Sequence, residues 1–345
     1  MATTLVIRLS ALGDVAIALP VLYSVAQKYT QDTFVLLTRQ EWQSLFVNKP
    51  PNVSLFPVDT KGKHKGVFGM LRLVRELSKN TTQEWKVADL HGVIRSFLVG
   101  FFFRMKGIPV AVIDKGRKEK RALVRQNHKV LQPLKSSLAR YQEVFEKLGY
   151  DASLRFSGLF PPKETKPQKP TLHIGVAPFA KHKGKTYPLE FMEEVVSQLS
   201  QLSGTKNIHM VLLGSPEERR ALAHWEKKYP NLKGATDTLS LEEGLFLIHQ
   251  MDVVLSMDSA NMHLASLVNT PVVSIWGATH PFAGFYGWNQ NPAHALQVEL
   301  PCRPCSVFGN KACHRGDHAC LKHITPEKVV HEMKSLLQTI YGVEF

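Results

Sequence analysis

The fold of this chain is decided by residues 252–266, which read DVVLSMDSANMHLAS. The apolar run that opens this stretch is typical of a buried strand, and the residues after Asp258 are typical of a helix. A strand that turns directly into a helix leaves the first N–H groups of the helix unpaired and partly positive. Ser259 and Ala260 are small, so a phosphate could approach the main chain there. The stretch therefore predicts an α/β fold with an anion site at this turn.

On its own, the motif has a simpler explanation. Asp258 or Ser259 could cap the helix, and His263 could pack one turn further along it. The rest of the chain favours a functional role, because an alternation of strand-like and helix-like segments continues on both sides of the motif.

This alternation runs through both halves of the chain. In the first half, strand-like runs lie at 4–8, 33–38, 87–90 and 110–113, with a helical pattern at 15–29. The second half has strand-like runs at 172–176, 209–213, 253–256 and 272–276, with a helical pattern at 189–202. The rhythm is typical of doubly wound parallel sheets, whose ligands bind beyond the carboxyl ends of the strands. We therefore predict two Rossmann-like α/β domains that face a central cleft.

Length and composition divide the chain into domains. A chain of 345 residues exceeds the usual size of one core, and residues 161–170 are rich in proline and lysine. We predict an N-terminal domain at 1–160, a linker at 161–170 and a C-terminal domain at 171–325. A last helix at 326–345 is expected to pack back on the N-terminal domain.

The formal net charge of +14 comes almost entirely from the first half of the chain. Residues 1–165 contain 26 lysines and arginines against 13 acidic residues, whereas residues 166–345 contain 17 against 16. Such a field attracts nucleic acid, an anionic membrane surface or an anionic substrate, and it also promotes solubility. No aromatic-studded basic strand, zinc finger or recognition-helix pattern accompanies the charge, so no nucleic-acid partner is predicted.

No segment of the sequence has the pattern of a membrane span or a secretory signal. The longest apolar candidate, 97–103, ends at Arg104 and is much shorter than the ~20 apolar residues that cross a bilayer. The N-terminal residues lead into a strand-like run without a basic start and a long apolar middle. We therefore expect a cytoplasmic protein.

The loop after the first strand, residues 8–15, reads RLSALGDV and ends with a lone carboxylate at a helix start. It contains one glycine, Gly13, instead of the three of a dinucleotide-binding fingerprint. Asp14 could be a simple helix cap. Its functional interpretation is a general base, which is needed wherever a hydroxyl attacks an electrophilic carbon.

Three lysines lie between a strand and a helix near the start of the second half. Ammonium groups at Lys181, Lys183 and Lys185 could neutralise a diphosphate leaving group, a role that a metal ion would otherwise fill. A solvated basic loop is the simpler explanation for Lys181 and Lys183. Lys185 is the stronger candidate, because Tyr187 and Pro188 follow it and fix the start of the next helix.

Four segments, taken in order, resemble the heptosyltransferases of glycosyltransferase family 9. They are SALGDV at 10–15, KTYP at 185–188, DSANMHLA at 258–265 and WGATHP at 276–281. The resemblance extends over nearly the whole chain, and the ordered combination is far more specific than any one segment. Members of this family add heptose from ADP-heptose to the inner core of lipopolysaccharide.

The resemblance implies a GT-B fold and an inverting, metal-independent transfer. The second domain would hold a nucleotide-sugar donor, and the first would hold the acceptor. Asp14 matches the family's general base, Lys185 its donor-phosphate lysine, and Asp258 its carboxylate that contacts the donor sugar. The expected donor-binding residues are Lys183, Lys185, Asp258, Ser259, Ala260 and His263, and the expected acceptor-binding residues are Ser10, Gly13 and Arg95. A surface or interdomain salt bridge would explain Arg95 about equally well.

One residue departs from the family pattern. The family usually has glycine after the serine or threonine of the turn, whereas this chain has Ala260, and alanine disfavours a positive φ. Two alternatives therefore stay open. One is a GT-B glycosyltransferase that uses another nucleotide sugar for a different surface glycan, and the other is a sugar-nucleotide-binding relative without turnover.

The resemblance also implies partners. The acceptor of the family is an anionic glycolipid at the cytoplasmic face of the inner membrane, so we expect a peripheral association with that membrane. The basic stretches 61–65 and 115–121 could contact the acceptor or lipid headgroups, although solvated loops explain them more simply.

All four cysteines fall within nineteen positions, at Cys302, Cys305, Cys313 and Cys320. Disulfides are disfavoured in a cytoplasmic chain, and the spacing could close a structural zinc site of four thiolates. A redox-labile loop and plain packed thiols explain the cluster about equally well. None of these readings gives the cysteines a part in the transfer. The family resemblance implies that no cofactor is required for catalysis.

Overall fold

The computed structural model describes residues 1–79, 84–163, 170–202, 207–235 and 239–345. The chain divides into two compact units. The first comprises Met1–Arg117 and Lys135–Leu159, and the second comprises Lys118–Leu134 and Phe160–Phe345. Residues 164–169 of the predicted linker lie outside the described residues.

The first unit contains a parallel sheet of five strands in the order β3-β2-β1-β4-β5. Its central strand is buried from Thr4 onward, as expected for a strand covered on both faces. The strands are β1 (Thr3–Ile7), β2 (Thr33–Arg39), β3 (Val53–Val58), β4 (Trp85–Asp89) and β5 (Val110–Val112). The helices are α1 (Leu12–Lys28), α2 (Gly66–Ser78), α3 (Ile94–Met105) and α5 (Ser137–Glu146), and α4 (Arg117–Val124) leads into the second unit.

The second unit contains a parallel sheet of six strands in the order β11-β10-β9-β6-β7-β8. The strands are β6 (Thr171–Ala177), β7 (Asn207–Leu212), β8 (Leu232–Gly234), β9 (Val253–Met257), β10 (Val272–Ile275) and β11 (Ala295–Leu296). The helices are α6 (Leu189–Gln201), α7 (Pro216–Ala221), α8 (Ala223–Lys228), α9 (Leu241–Gln250), α10 (Ala260–Leu267), α11 (Ala319–Lys322) and α12 (Pro326–Tyr341). The two sheets confirm the predicted doubly wound α/β design of both halves.

Two segments differ from the sequence prediction. The C-terminal helix α12 belongs to the core of the second unit, because Val329, Met333 and Leu337 are fully buried there with the strands of its sheet. The hydroxyl of Tyr341 at its end donates to Asp252 Oδ1 at 2.7 Å. This corrects the expectation that the helix packs on the N-terminal domain.

The second difference concerns residues 118–134, which the sequence prediction places in the N-terminal domain. They belong to the second unit, where the ammonium of Lys129 donates to the carbonyls of Pro301, Arg303 and Pro304 at 2.8–3.1 Å. No local pattern in the sequence indicates these long-range hydrogen bonds.

The strand orders define where each unit can bind a ligand. In the first sheet, the chain passes from β1 to β2 on one side and from β4 to β5 on the other. In the second sheet, it passes from β6 to β7 on one side and from β9 to β10 on the other. Ligands of doubly wound sheets bind at such switch points, beyond the carboxyl ends of the strands. The loops after these four strands are therefore the candidate site loops. Among the described helices, none combines the length and apolar character needed to cross a bilayer.

Candidate functional site

Asp258 follows β9 at the switch point of the second sheet. Its side chain is buried, with the residue 4% exposed. Its Oδ2 lies 3.0 Å from Lys185 Nζ and accepts a hydrogen bond from Thr279 Oγ1 at 2.8 Å. A buried carboxylate is strongly unfavourable unless it is paired and hydrogen-bonded, and these two groups satisfy that requirement. We call Lys185, Asp258 and Thr279 the Asp258 cluster; the loops after β6, β9 and β10 supply its members.

The position of Lys185 is fixed by close backbone packing. Lys185 ends the 3₁₀ turn Lys183–Lys185, and the carbonyl of Gly184 in that turn accepts a hydrogen bond from Ala278 N at 2.8 Å. Gly309 has a φ of +75°, and a Cβ at this residue would lie 2.4 Å from Lys185 Cγ. Only glycine fits both conditions, so the loop that contains Gly309 packs directly on the lysine stem.

Helix α10 starts beside the cluster without a side-chain cap. Ser259 stands at the N-cap and makes no capping hydrogen bond; its Oγ lies 3.2 Å from Ser256 Oγ instead. The partly positive N-terminus of the helix is therefore available to an anion. Ala260 is the first helical residue and does not have a left-handed backbone, so alanine causes no strain at this position.

The two remaining residues predicted to bind the sugar donor are His263 and Lys183. His263 is buried within α10 and is 7% exposed. Lys183 is exposed and lines a cavity of about 440 Å³ together with Asn310, Lys311 and other residues of the 309–318 loop.

A residue that the sequence analysis missed supports the Asp258 cluster. The guanidinium of Arg303 is buried beneath the loop after β10, where it donates to the carbonyl oxygens of Gly277 at 2.6 Å and Thr279 at 3.0 Å. Burial holds the pKa of Arg303 below its usual value. Arg303 thus fixes the main chain that presents the Thr279 hydroxyl. Its sequence neighbours do not distinguish it from a surface arginine.

In the first unit, Asp14 is paired with a buried arginine. Arg8 follows β1 and is 6% exposed, and its Nη2 lies 2.6 Å from Asp14 Oδ2. The same oxygen accepts a hydrogen bond from Ala11 N at 3.2 Å, so Asp14 also caps α1. Arg8 Nη1 donates to Leu90 O at 2.6 Å, which anchors the guanidinium to the loop after β4. The Asp14 side chain remains 32% exposed, so a held carboxylate is accessible from solvent.

Positive charge surrounds this carboxylate. His91 is buried at the same end of the sheet, and burial together with Arg8 and Lys115 lowers its pKa to about 3. The histidine is therefore neutral at pH 7. Burial and the charge of Arg8 also lower the pKa of Lys115. At the carboxyl end of this sheet, the accessible Asp14 carboxylate thus lies near cations that suit an anionic ligand.

The predicted acceptor residues are placed unequally. Ser10 and Gly13 are partly buried on either side of the α1 start, and a cis peptide joins Ser10 to Ala11. Arg95 is exposed on the first turn of α3, and it makes no ion pair within the part of the chain that the structure describes.

The four cysteines lie together, and none forms a disulfide. Cys302, Cys305, Cys313 and Cys320 all line one cavity of about 10 Å³, and His314 and His318 also line it. Burial raises the pKa of Cys320 to about 11. Within the described ranges, no three histidine, cysteine or acidic side chains are grouped closely enough to hold a metal ion.

The chain is similar along nearly its whole length to characterised proteins. It is 25% identical over 342 residues to lipooligosaccharide heptosyltransferase 2 of Campylobacter jejuni, which covers 95% of this chain and 96% of that protein. Among solved structures, the glycosyl transferase family 9 protein of Veillonella parvula matches with a TM-score of 0.74 at 19% identity, covering 98% of each chain. The E. coli heptosyltransferase WaaC with ADP matches with a TM-score of 0.67 at 18% identity, covering 97% of this chain and 99% of that one.

Two parallel-sheet α/β units with these structural neighbours show the GT-B fold. The sequence profile of glycosyltransferase family 9 (heptosyltransferase) matches residues 70–314, which is more than half of the chain. The chain therefore belongs to glycosyltransferase family 9.

Proposed function

We propose that this enzyme transfers heptose from ADP-heptose to an inner-core lipopolysaccharide acceptor, with inversion and without a catalytic metal. The family membership and the heptosyltransferases among its relatives support the sugar and the acceptor class. The observation that carries the mechanism is the Asp258 cluster, where an ammonium group stands beside an uncapped helix start.

The leaving diphosphate would be stabilised by the second unit. As the bond between the anomeric carbon and the phosphate oxygen breaks, its electron pair stays on ADP, and negative charge grows on the diphosphate. Lys185 and the N–H groups at Ser259 and Ala260 would neutralise that charge. Asp258 would hold the lysine and accept hydrogen bonds from donor-sugar hydroxyls. Lys183 and His263 are the further donor contacts that the family resemblance suggests.

Asp14 would be the general base. Its carboxylate would take the proton of the acceptor hydroxyl as that oxygen bonds to the anomeric carbon from the face opposite the diphosphate. Arg8 would orient the carboxylate, since the guanidinium is itself anchored to Leu90. Ser10, Gly13 and Arg95 would contact the acceptor. General bases contribute typically 10²–10⁴-fold in rate, which sets the scale of the test.

The test is transfer from ADP-heptose to a delipidated inner-core acceptor, with a metal chelator present throughout. Asp14→Asn keeps an oxygen that can accept from Arg8 and Ala11, so the fold should persist while the base is lost. We expect transfer to fall about 10²–10⁴-fold with ADP affinity unchanged. Glu146→Gln, an exposed carboxylate at the end of α5, is the matched control and should transfer normally.

The outcomes separate the alternatives. Full transfer by Asp14→Asn would remove Asp14 as the base. Transfer only with another nucleotide sugar would favour the GT-B enzyme of a different surface glycan. Tight ADP binding without turnover of any donor would favour a binding-only relative.

For the cysteine loop, we propose a structural zinc ion bound by Cys302, Cys305, Cys313 and Cys320. Two neighbouring cations support this. Among the described residues, Arg303 and Lys129 donate hydrogen bonds to uncharged oxygens, and the cysteine thiols are the acidic groups near both cations. Thiolates around a divalent ion would supply the missing negative charge. The thiols would have to move closer together than they stand in the structure.

Elemental analysis of the purified chain tests the zinc proposal. One zinc per chain, lost when thiols are alkylated under denaturing conditions, is the expected result. Four freely titrating thiols without metal would leave packed thiols as the explanation, and disulfide formation in air would indicate a redox-labile loop.

A further inference from the structure

Helices α2 and α3 of the first unit expose a continuous series of large apolar side chains. On α3, Ile94 is 80% exposed, Phe97 55%, Phe101 50% and Met105 74%. Their spacing of three or four residues puts all four on one stripe of the helix. The opposite side of α3 is buried in the core, as its Phe103 is fully covered. The helix therefore has an apolar face on both sides, and only one of them is packed.

Helix α2 shows the same arrangement. Val67 is 63% exposed, Phe68 87% and Leu71 59%, whereas Leu73 and Leu77 pack in the core. The connections β3–α2–β4 and β4–α3–β5 step in the same direction across the sheet, so right-handed crossovers place both helices on one face. The exposed residues of the two helices form a joint surface, the α2–α3 face: Val67, Phe68, Leu71, Ile94, Phe97, Phe101 and Met105.

The segments that carry the α2–α3 face are rich in basic residues. Segments 61–79 and 94–106 contain nine lysines and arginines and one acidic residue, Glu76. Glu76 is already engaged by Lys63 at 2.8 Å and Arg72 at 3.2 Å. Arg104 lies on α3 beside the apolar stripe, and the exposed Lys106 directly follows the last residue of the helix. A partner for this surface must accept apolar side chains at the centre and carry negative charge around them.

We infer that the α2–α3 face docks on an anionic lipid bilayer, with its apolar side chains inserted at the headgroup boundary and its basic side chains on the lipid phosphates. Exposed apolar helix faces with flanking lysine and arginine bind membranes in this way. A second copy of the chain is a poor occupant, because its own basic rim would be repelled. Nucleic acid offers no apolar layer for the phenylalanines.

This inference deepens the proposed function, because a glycolipid acceptor lies in a membrane. It rests on that function only for the reason why the protein would bind a bilayer. The binding is measured without any substrate. The full chain is mixed with vesicles of phosphatidylcholine alone or with phosphatidylglycerol added, and the bound fraction is found by flotation. We expect binding to the anionic vesicles only, with a decrease as salt rises.

Two sets of variants separate the apolar and the basic contributions. Phe68→Ser with Phe101→Ser should weaken binding at least about tenfold, because large apolar area no longer enters the interface. Arg104→Gln with Lys106→Gln should weaken it less and reduce the salt dependence. Leu131→Ser, 55% exposed in the second unit, is the matched control and should bind like the wild type. All these side chains are exposed, so folding should be unaffected.

Three results would overturn the inference. They are absence of wild-type binding to anionic vesicles, unchanged binding of the Phe68→Ser, Phe101→Ser variant, and a change from dimer to monomer in that variant by sedimentation velocity. Transfer to the delipidated acceptor is measured beside these assays. If the chain transfers heptose but does not bind vesicles, only the proposed docking surface is wrong. If it binds vesicles but does not transfer heptose, the docking surface is supported and the proposed activity is wrong.

Discussion

Replacing Lys185 by methionine is the sharpest test of the Asp258 cluster. Methionine keeps the apolar stem against Gly309 and removes the ammonium. Among the described residues, the Thr279 hydroxyl is then the side-chain partner that remains for the buried Asp258 carboxylate. Breaking a buried ion pair from one side costs about 3–5 kcal/mol, because the remaining charge is left without compensation. Since the Lys185 side chain is 16% exposed and water can approach it, we expect the lower end, about 3 kcal/mol.

The second half of the test removes the remaining charge. Asp258→Asn keeps an oxygen that accepts from the Thr279 hydroxyl, and it carries no charge. The double variant Lys185→Met, Asp258→Asn should therefore regain about 2 of the 3 kcal/mol of unfolding free energy that Lys185→Met loses. Asp258→Asn alone should cost about 1 kcal/mol, because the partly exposed ammonium can turn to water. The two single costs should therefore exceed the cost of the double variant by about 2–3 kcal/mol.

The assay is urea unfolding followed by tryptophan fluorescence, since Trp225 and Trp276 are buried in this unit. Lys181→Met, an exposed lysine of the same loop, is the control and should change stability by less than about 0.5 kcal/mol. Calorimetry with ADP gives a second readout, where Lys185→Met should bind about 10–100-fold more weakly through loss of a charge-assisted contact. Additive stability costs with unchanged ADP affinity would refute the reasoning.

Three further predictions follow from buried ionisable groups. Burial lowers the pKa of His91 to about 3 and that of His280 to about 4, so below about pH 6.5 the unfolded chain binds protons that the folded chain does not. The contribution of each neutral histidine to the free energy of unfolding should be fully present above about pH 6.5. As the pH falls below that value, the free energy of unfolding should decrease by up to about 1.4 kcal/mol per pH unit for each histidine. Urea unfolding at a series of pH values should show a shallower decrease for His91→Gln, and equal slopes would contradict the assignment. Arg303→Met should destabilise by about 3 kcal/mol and weaken ADP binding, because several buried carbonyls lose their donor, whereas exposed Arg315→Met should do neither. Arg8→Gln should lower kcat at least about tenfold with little change in the donor KM, and a normal kcat would show that the arginine does not position the base.

The sheets could be predicted from the sequence because their signal is local. Each buried parallel strand is a continuous apolar run, and strand β9 turns into α10 within two residues, so pattern and period suffice there. The placement of α12 could not be predicted in this way. Its apolar face shows that it packs on something, but the choice of partner depends on Tyr341 reaching Asp252 across 89 positions.

In the candidate site, too, some residues could be predicted from the sequence and others could not. Lys185 and Asp258 lie between a strand and the helix that follows it, and Asp14 lies in the first turn of the helix after β1, so a sequence pattern can identify them. Their partners could not be identified, because Arg8 has no special neighbours in the sequence and Arg303 lies among cysteines. The concern about Ala260 depended on a left-handed backbone that only coordinates can test, and the helical geometry removes it.

The environments of the two site carboxylates argue for different roles. Asp14 is one-third exposed, and its guanidinium partner is buried and anchored, so one side of the carboxylate is held while the other remains open to an incoming hydroxyl. Asp258 is buried and engaged by both an ammonium and a hydroxyl. A proton acceptor must reach its substrate within hydrogen-bond distance, and a positioning group must not move. Exposure therefore favours Asp14 as the base, and enclosure favours Asp258 as the residue that orients Lys185.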